Sequence, residues 1–327
     1  MDKQLRRTFI ISIIISLLLT LLTFLLDPLL DSISHLPDTG AAWYYWQLPE
    51  ANLWAQITAW GGFSLHLLLI FIVIRSWEKA KDKGFGLRKI NIIALWINFI
   101  FTGLHLLQTH IFYDGLAQDV PVWTSQYSVI IMLIIIMIML MPRRGIFWGK
   151  GKKLNTGVLD FLKKTHSYYI SWALIYTFWF HPMEGDFAIL MGFSYMFFLF
   201  IQMSMFNTRL HVNMKWLIFL EFFVGLHGPA IAIMNKQPIW PMFIVGFLFM
   251  TVMTQMHGLK FRNWLKYLIL VIYIATVGVL YYFRGFEKLY ELSFIPVALY
   301  GGVGVLILLI LLGRWTAKRF SASVIQP

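Results

Sequence analysis

The chain has 327 residues, of which 59% are apolar and 13% charged, with a formal net charge of +12. A mean hydropathy of +0.71 and a charged share near half the usual ~25% exclude a soluble domain of this length. The same composition excludes disorder, collagen-like repeats and disulfide-stapled scaffolds, and the absence of cysteine removes disulfides, iron–sulfur clusters, thiolate metal sites and a cysteine nucleophile.

Apolar runs recur along the whole chain, at 8–30, 54–75, 90–112, 124–142, 166–183, 187–206, 215–235, 238–256, 264–284 and 292–313. A helical span needs about 20 residues, so the sequence predicts an all-α integral membrane protein. It is expected to be a bundle of about ten transmembrane helices forming a single polytopic domain over 1–327. The first run is long for a signal peptide and no small-residue cleavage site follows it, so it is read as a retained helix.

Lys and Arg alternate in side. Of the 27 basic residues, all but Lys236, Arg284 and Lys288 fall in one alternating set of segments. The positive-inside rule assigns that set to the cytoplasm. Both termini are then cytoplasmic, the membrane is the plasma (inner) membrane, and the basic residues meet membrane lipids rather than nucleic acid. Asp31, Asp38, Glu50, Asp114, Asp119, Glu184, Asp186, Glu287 and Glu291 fall on the opposite side. The outer segment 31–53 carries Trp43, Tyr44, Tyr45 and Trp46, aromatic residues suited to the headgroup layer. The inner segment 143–165 reads as a basic loop touching anionic headgroups.

Nine histidines occur, and only His35 lies in a long loop. His105, His181 and His227 fall about 18–23 Å along their spans from the inner end. His166, His211 and His257 mark the inner edge, His110 lies a turn beyond His105, and His66 stands alone near the middle of the second span. Two layers of imidazole suggest two b-type haems, each needing axial ligands. His166 and His181 are 15 residues apart and His211 and His227 are 16 apart, a spacing that resembles the paired histidines of transmembrane di-haem cytochromes, including the ferric-reductase and cytochrome b families. These separations rotate the second histidine by about 60° and about 160°. His181 with His227, or either with His105, is therefore the easier axial pair.

A second constellation is a metal site at the outer face, drawn from His110, Asp114 and Glu184 together with the outer histidines. His110 and Asp114 are four residues apart and share a face if the helix continues that far. Nitrogen and carboxylate donors suit a divalent zinc, iron or manganese ion. The histidine boxes of membrane desaturases are absent. Glu221, about six residues into the seventh span, is an intramembrane carboxylate and so a candidate proton or cation relay. Thr102, Thr109, Thr177, Gln202, Ser204, Thr254 and Gln255 are expected to bond between helices.

Motifs for a nucleotide P-loop, a serine nucleophile elbow and a zinc protease are missing. Three functions follow as expectations. The first is a membrane redox protein holding haem b or a His/carboxylate metal in the outer half, supplied by a quinol or an electron-donor protein. The second is a proton-coupled transporter or channel using Glu221 and His227, with the Gly228–Pro229 break baring backbone carbonyls. The third is a non-redox metal-dependent enzyme acting on a membrane lipid.

Overall fold

The structure, a computed structural model, describes residues 2–34, 36, 47–80, 84–153, 156–234, 236–259 and 261–323. His35 and the aromatic group at 43–46 lie outside these residues. Among the described residues the protein is helical without a strand. The helices are α1 (Lys3–Leu26), α2 (Leu53–Lys79), α3 (Lys89–Phe112), α4 (Val122–Arg144), α5 (Thr156–Phe180), α6 (Phe187–Ser204), α7 (Met214–Met234), α8 (Trp240–Met253), α9 (Asn263–Arg284) and α10 (Phe294–Ser323). Among the described residues, nine segments, covering all or most of each of these helices except α5, are long and apolar enough to cross a membrane. They suggest a multi-pass membrane protein.

Side-chain caps set several of the starts. Asp2 accepts from the Leu5 amide at 2.7 Å, Asn52 from Trp54 at 2.9 Å, and Asp186 from Ala188 at 3.0 Å. Each satisfies an amide that the first helical turn leaves without a partner. The expected inner loop 143–165 is only part loop, because α5 begins at Thr156 rather than near 166. Val158 and Leu162, one turn apart, are buried while Lys163 and Lys164 are exposed. The apolar face continues through a stretch whose other face is charged, and this hides the helix start from a hydropathy reading.

Burial along α1 is the reverse of that in a soluble helix. Its buried positions are Leu5, Ser12, Ser16 and Thr23, while Leu17, Leu18, Leu21 and Leu25 are each more than half exposed. Small polar residues at the helix interface with apolar residues outside are what lipid demands. The Thr20 hydroxyl meets the Ser194 hydroxyl of α6 at 3.0 Å on that inner face.

The chain divides into two compact units, Met1–Val129 with Ser167–Gln237, and Ile130–His166 with Pro238–Pro327. In the first unit α3 packs on α2, and α6 packs on α1 and α7. Its core is aromatic. Phe178, Trp179, Phe180, Phe193, Phe197 and Phe200 are all fully buried, and Phe178 stands edge-on to Trp179, Phe193 and Phe200 at 5.1–6.0 Å between centroids. α5 carries three of these residues, Phe178, Trp179 and Phe180, whereas its Tyr169 is exposed. Gly62 of α2 lets that helix close on Trp179, because a Cβ there would run into the indole ring. In the second unit Arg284 bonds Glu291 at 2.9 Å and the Pro238 carbonyl at 3.0 Å, and Tyr281 donates to Glu291 at 3.0 Å. The turn after α4 places Gly145, Trp148, Gly149 and Gly151 at positive φ, and Tyr300 donates to the Ile146 carbonyl at 2.8 Å.

α7 runs through Pro229 without ending. The break expected at Gly228–Pro229 is therefore absent, although Pro229 offers no N–H to the carbonyl one turn before it.

Candidate functional site

A polar cluster of the first unit grows from the end of α3. The helix stops at Phe112 because Tyr113 adopts φ 65°, ψ −69°, a region unusual for a side-chain-bearing residue. Tyr113 is held there by burial, and its hydroxyl donates to Glu184. This stop has a direct consequence for the expected metal site. His110 and Asp114 do not share a helix face: the His110 Nδ1 bonds the Leu106 carbonyl at 2.8 Å, whereas the Asp114 carboxylate accepts from the Leu48 amide at 3.2 Å. Among the described residues no three of the His, Asp and Glu side chains converge as a set able to hold a metal.

Asp114 is fully buried. Desolvation pushes its carboxyl up to about 7, with the Leu48 amide pulling down and the Asp119 charge adding to the rise. Its main-chain oxygen accepts from Gln108 Nε2 at 2.6 Å. That bond orients the Gln108 amide, so Oε1 faces His105 Nδ1 at 3.2 Å. The other nitrogen of the same ring, Nε2, lies 2.8 Å from the His181 carbonyl. His105 thus sits between two acceptors. In its neutral form it donates to one of them only, and protonation of the second nitrogen completes the other bond.

The segment after α5 brings His181 to this place. Met183 donates its amide to Thr109 Oγ1 at 2.9 Å, and the Gly185 amide donates to Asp27 at 2.5 Å. Asp186, the next residue, caps α6. The His181 imidazole has the imidazoles of His105 and His227 within electrostatic reach. His227 of α7 lies against Gly192 of α6, where a Cβ would stand 2.7 Å from the ring. Its Nδ1 is buried without a hydrogen-bond partner among the described residues. The structure therefore brings the three outer histidines into one neighbourhood.

His211 belongs to the first unit, and His166 and His257 to the second. Each donates a ring N–H to a nearby carbonyl: His166 to Lys163 at 2.9 Å, His211 to Gln202 at 2.9 Å, and His257 to Val252 at 3.1 Å. Glu221 is half-buried on α7, six residues before His227 and about 240° around the helix from it.

An axial haem ligand needs one free ring nitrogen. Both nitrogens of His105 face protein acceptors, and Phe178, Trp179 and Phe193 surround its ring at 4.4–6.4 Å between centroids. The residues present do not fit a haem ligated by His105.

His66, left alone by the sequence, is the centre of a second buried network. Its ring accepts from Trp179 Nε1 at 3.3 Å, pairs with Asn98 Oδ1 at 2.9 Å, and stacks on Phe101 with centroids 4.6 Å apart. Asn98 passes the chain on to the Ser204 hydroxyl at 2.9 Å, and Asn91 donates to the Ser204 carbonyl at 2.8 Å. Both of its ring nitrogens are satisfied, so it reads as an interhelical tie. Gln108 was legible as a partner, standing three residues after His105 on the same helix face. Tyr113 and Asp27 carried no comparable signal. No protein-family model, no curated protein and no solved structure matches this chain.

Proposed function

We propose that the protein is a proton-coupled membrane transporter or channel whose proton-handling groups are His105, His181 and His227. The observation that carries this reading is the placement of His105 between the Gln108 Oε1 and His181 carbonyl acceptors, at 3.2 and 2.8 Å. A buried imidazole ordinarily resists a second proton because charge is costly away from water. Here the second proton makes a hydrogen bond at Nδ1 instead of leaving an uncompensated donor. Asp114, whose carboxyl is pushed up to about 7, joins this arrangement by its main-chain oxygen, which accepts from Gln108. His227, whose buried Nδ1 has no hydrogen-bond partner among the described residues, lies within electrostatic reach of His181. Glu221 is a further carboxylate on α7 toward the opposite face. The membrane is read as the plasma membrane with both termini cytoplasmic, on the strength of the asymmetric basic residues.

The test is proton movement in vesicles reconstituted with purified protein and a trapped pH indicator. An imposed pH gradient is expected to collapse faster than in protein-free vesicles, and His105→Asn or His227→Asn to slow the collapse at least tenfold. Collapse at the wild-type rate in both variants removes the histidines from the function.

A further inference from the structure

At the end of α2 the first unit carries a groove of about 430 Å³ lined by Phe71, Ile72, Arg75, Ser76, Lys79 and Tyr168. Ile72, Arg75, Ser76 and Lys79 follow the i, i+3, i+4, i+7 spacing of a single helix stripe. Phe71 and Tyr168 of α5 form its wall, edge to face with centroids 5.2 Å apart. The stripe changes character along its length. Ile72 is 52% exposed within the apolar part of the helix, and Arg75 and Lys79 are exposed where the apolar run ends. An apolar wall leading to two cations at the end of a spanning helix matches the depth profile of a phospholipid, whose phosphate sits just outside its acyl chains.

The neighbouring acid does not neutralise the groove. Glu78 accepts from Arg75 at 3.0 Å and from the Tyr168 hydroxyl at 3.0 Å. The Arg75 side chain in that pair is 65% exposed, and an ion pair so open to solvent contributes little. Its guanidinium has further donors for a phosphate. Glu78 is one carboxylate in a stretch that holds Arg75 and Lys79, and Lys81, Asp82 and Lys83 follow in the sequence with a further net positive charge.

We propose that this groove binds an anionic phospholipid, with Arg75 and Lys79 on the headgroup phosphate and an acyl chain along Phe71 and Ile72. The proposal is independent of the histidine cluster and stands whether or not that cluster moves protons.

The experiment is a titration of delipidated full-length protein in detergent, with bound lipid counted by native mass spectrometry. The ligands are phosphatidylglycerol, phosphatidylcholine and inorganic phosphate. Phosphatidylglycerol is expected to bind at least tenfold more tightly than phosphatidylcholine, and the double variant Arg75→Gln/Lys79→Gln to erase that preference. The control Lys163→Gln/Lys164→Gln, which removes the same charge from the exposed side of α5, is expected to keep it. Equal loss in both variants, or no loss in the first, overturns the proposal. Inorganic phosphate competing as well as the lipid reassigns the groove to a soluble anion and overturns the lipid assignment. Should the first variant not fold, a photoreactive phosphatidylglycerol on the wild-type protein is expected to attach within residues 71–79 or at Tyr168. Attachment elsewhere alone contradicts the proposal.

Discussion

The Nε2 atom of His105 lies 2.8 Å from the main-chain oxygen of His181, a residue 76 positions later in the chain. This bond ties the end of α3 to the segment after α5. It also leaves the Nδ1 of the same ring facing the Gln108 carbonyl oxygen. A histidine held in this way is a fixed station for a proton, provided the groups that orient it stay in place. Gln108→Leu removes the second acceptor and the link to the Asp114 carbonyl together. Proton flux in vesicles is expected to fall at least tenfold, with a loss of stability on the order of 1–3 kcal/mol for the stranded buried partners. A thermal melt and a flux assay on one preparation separate the two effects.

His227 rests against Gly192 with no room for a side chain between them. Gly192→Ala is expected to displace the imidazole and to cost about 1–3 kcal/mol through overpacking. If His227 carries protons, flux falls more than the melting temperature alone accounts for. Gly61, whose Cβ meets nothing within 4 Å, is the comparison: Gly61→Ala is expected to leave both flux and stability near wild type.

Asp114 gives the protein a pH dependence with a definite sign. Its carboxyl is raised from 3.8 to about 7 by burial. Between those values the folded protein binds a proton that the unfolded chain has released, so stability falls as pH rises through this window. The contribution is fully present below about 3.8 and is lost above about 7. Asp114→Asn, which keeps an acceptor for the Leu48 amide but cannot ionise, is expected to flatten the melting temperature between pH 5 and 8. A slope in the variant as steep as that of the wild type places the titration elsewhere.

The His66 network carries no free ring nitrogen, and its expected role is stability. Asn98→Leu strands His66 Nε2 in the core while Ser204 keeps its bond to the Phe200 carbonyl, and a loss on the order of 1–3 kcal/mol is expected from the unpaired imidazole nitrogen. Proton flux per folded molecule is expected to stay near wild type, which distinguishes this network from the outer one.

Orientation is testable directly because the chain has no cysteine. Lys288→Cys is expected to react with a membrane-impermeant maleimide in intact cells, and Lys152→Cys only after lysis. Labelling in the reverse order inverts the assigned topology.

The helices were legible where hydrophobic runs coincide with them. The run 264–284 corresponds to Asn263–Arg284 and 215–235 to Met214–Met234, because lipid contact demands an unbroken apolar exterior. The reading failed where one helix face is charged, as at the start of α5, and where a backbone turn has no local signature, as at Tyr113. That single positive φ takes Asp114 off the helix face of His110. Counting residues put His105, His181 and His227 at similar positions along their spans, and His181 has the other two imidazoles within electrostatic reach. Which nitrogen meets which acceptor depends on how the end of α5 folds back on α3. The sequence holds no periodic pattern for that.

The most direct measurement is a pH series of nitrogen-15 spectra on histidine-labelled protein in bilayers, with His105→Asn used to assign the signal. The account predicts that on acidification His105 passes to the doubly protonated form, gaining a proton at Nδ1 while Nε2 stays hydrogen-bonded. A His105 signal that remains neutral throughout the pH range in which the vesicles conduct protons contradicts it.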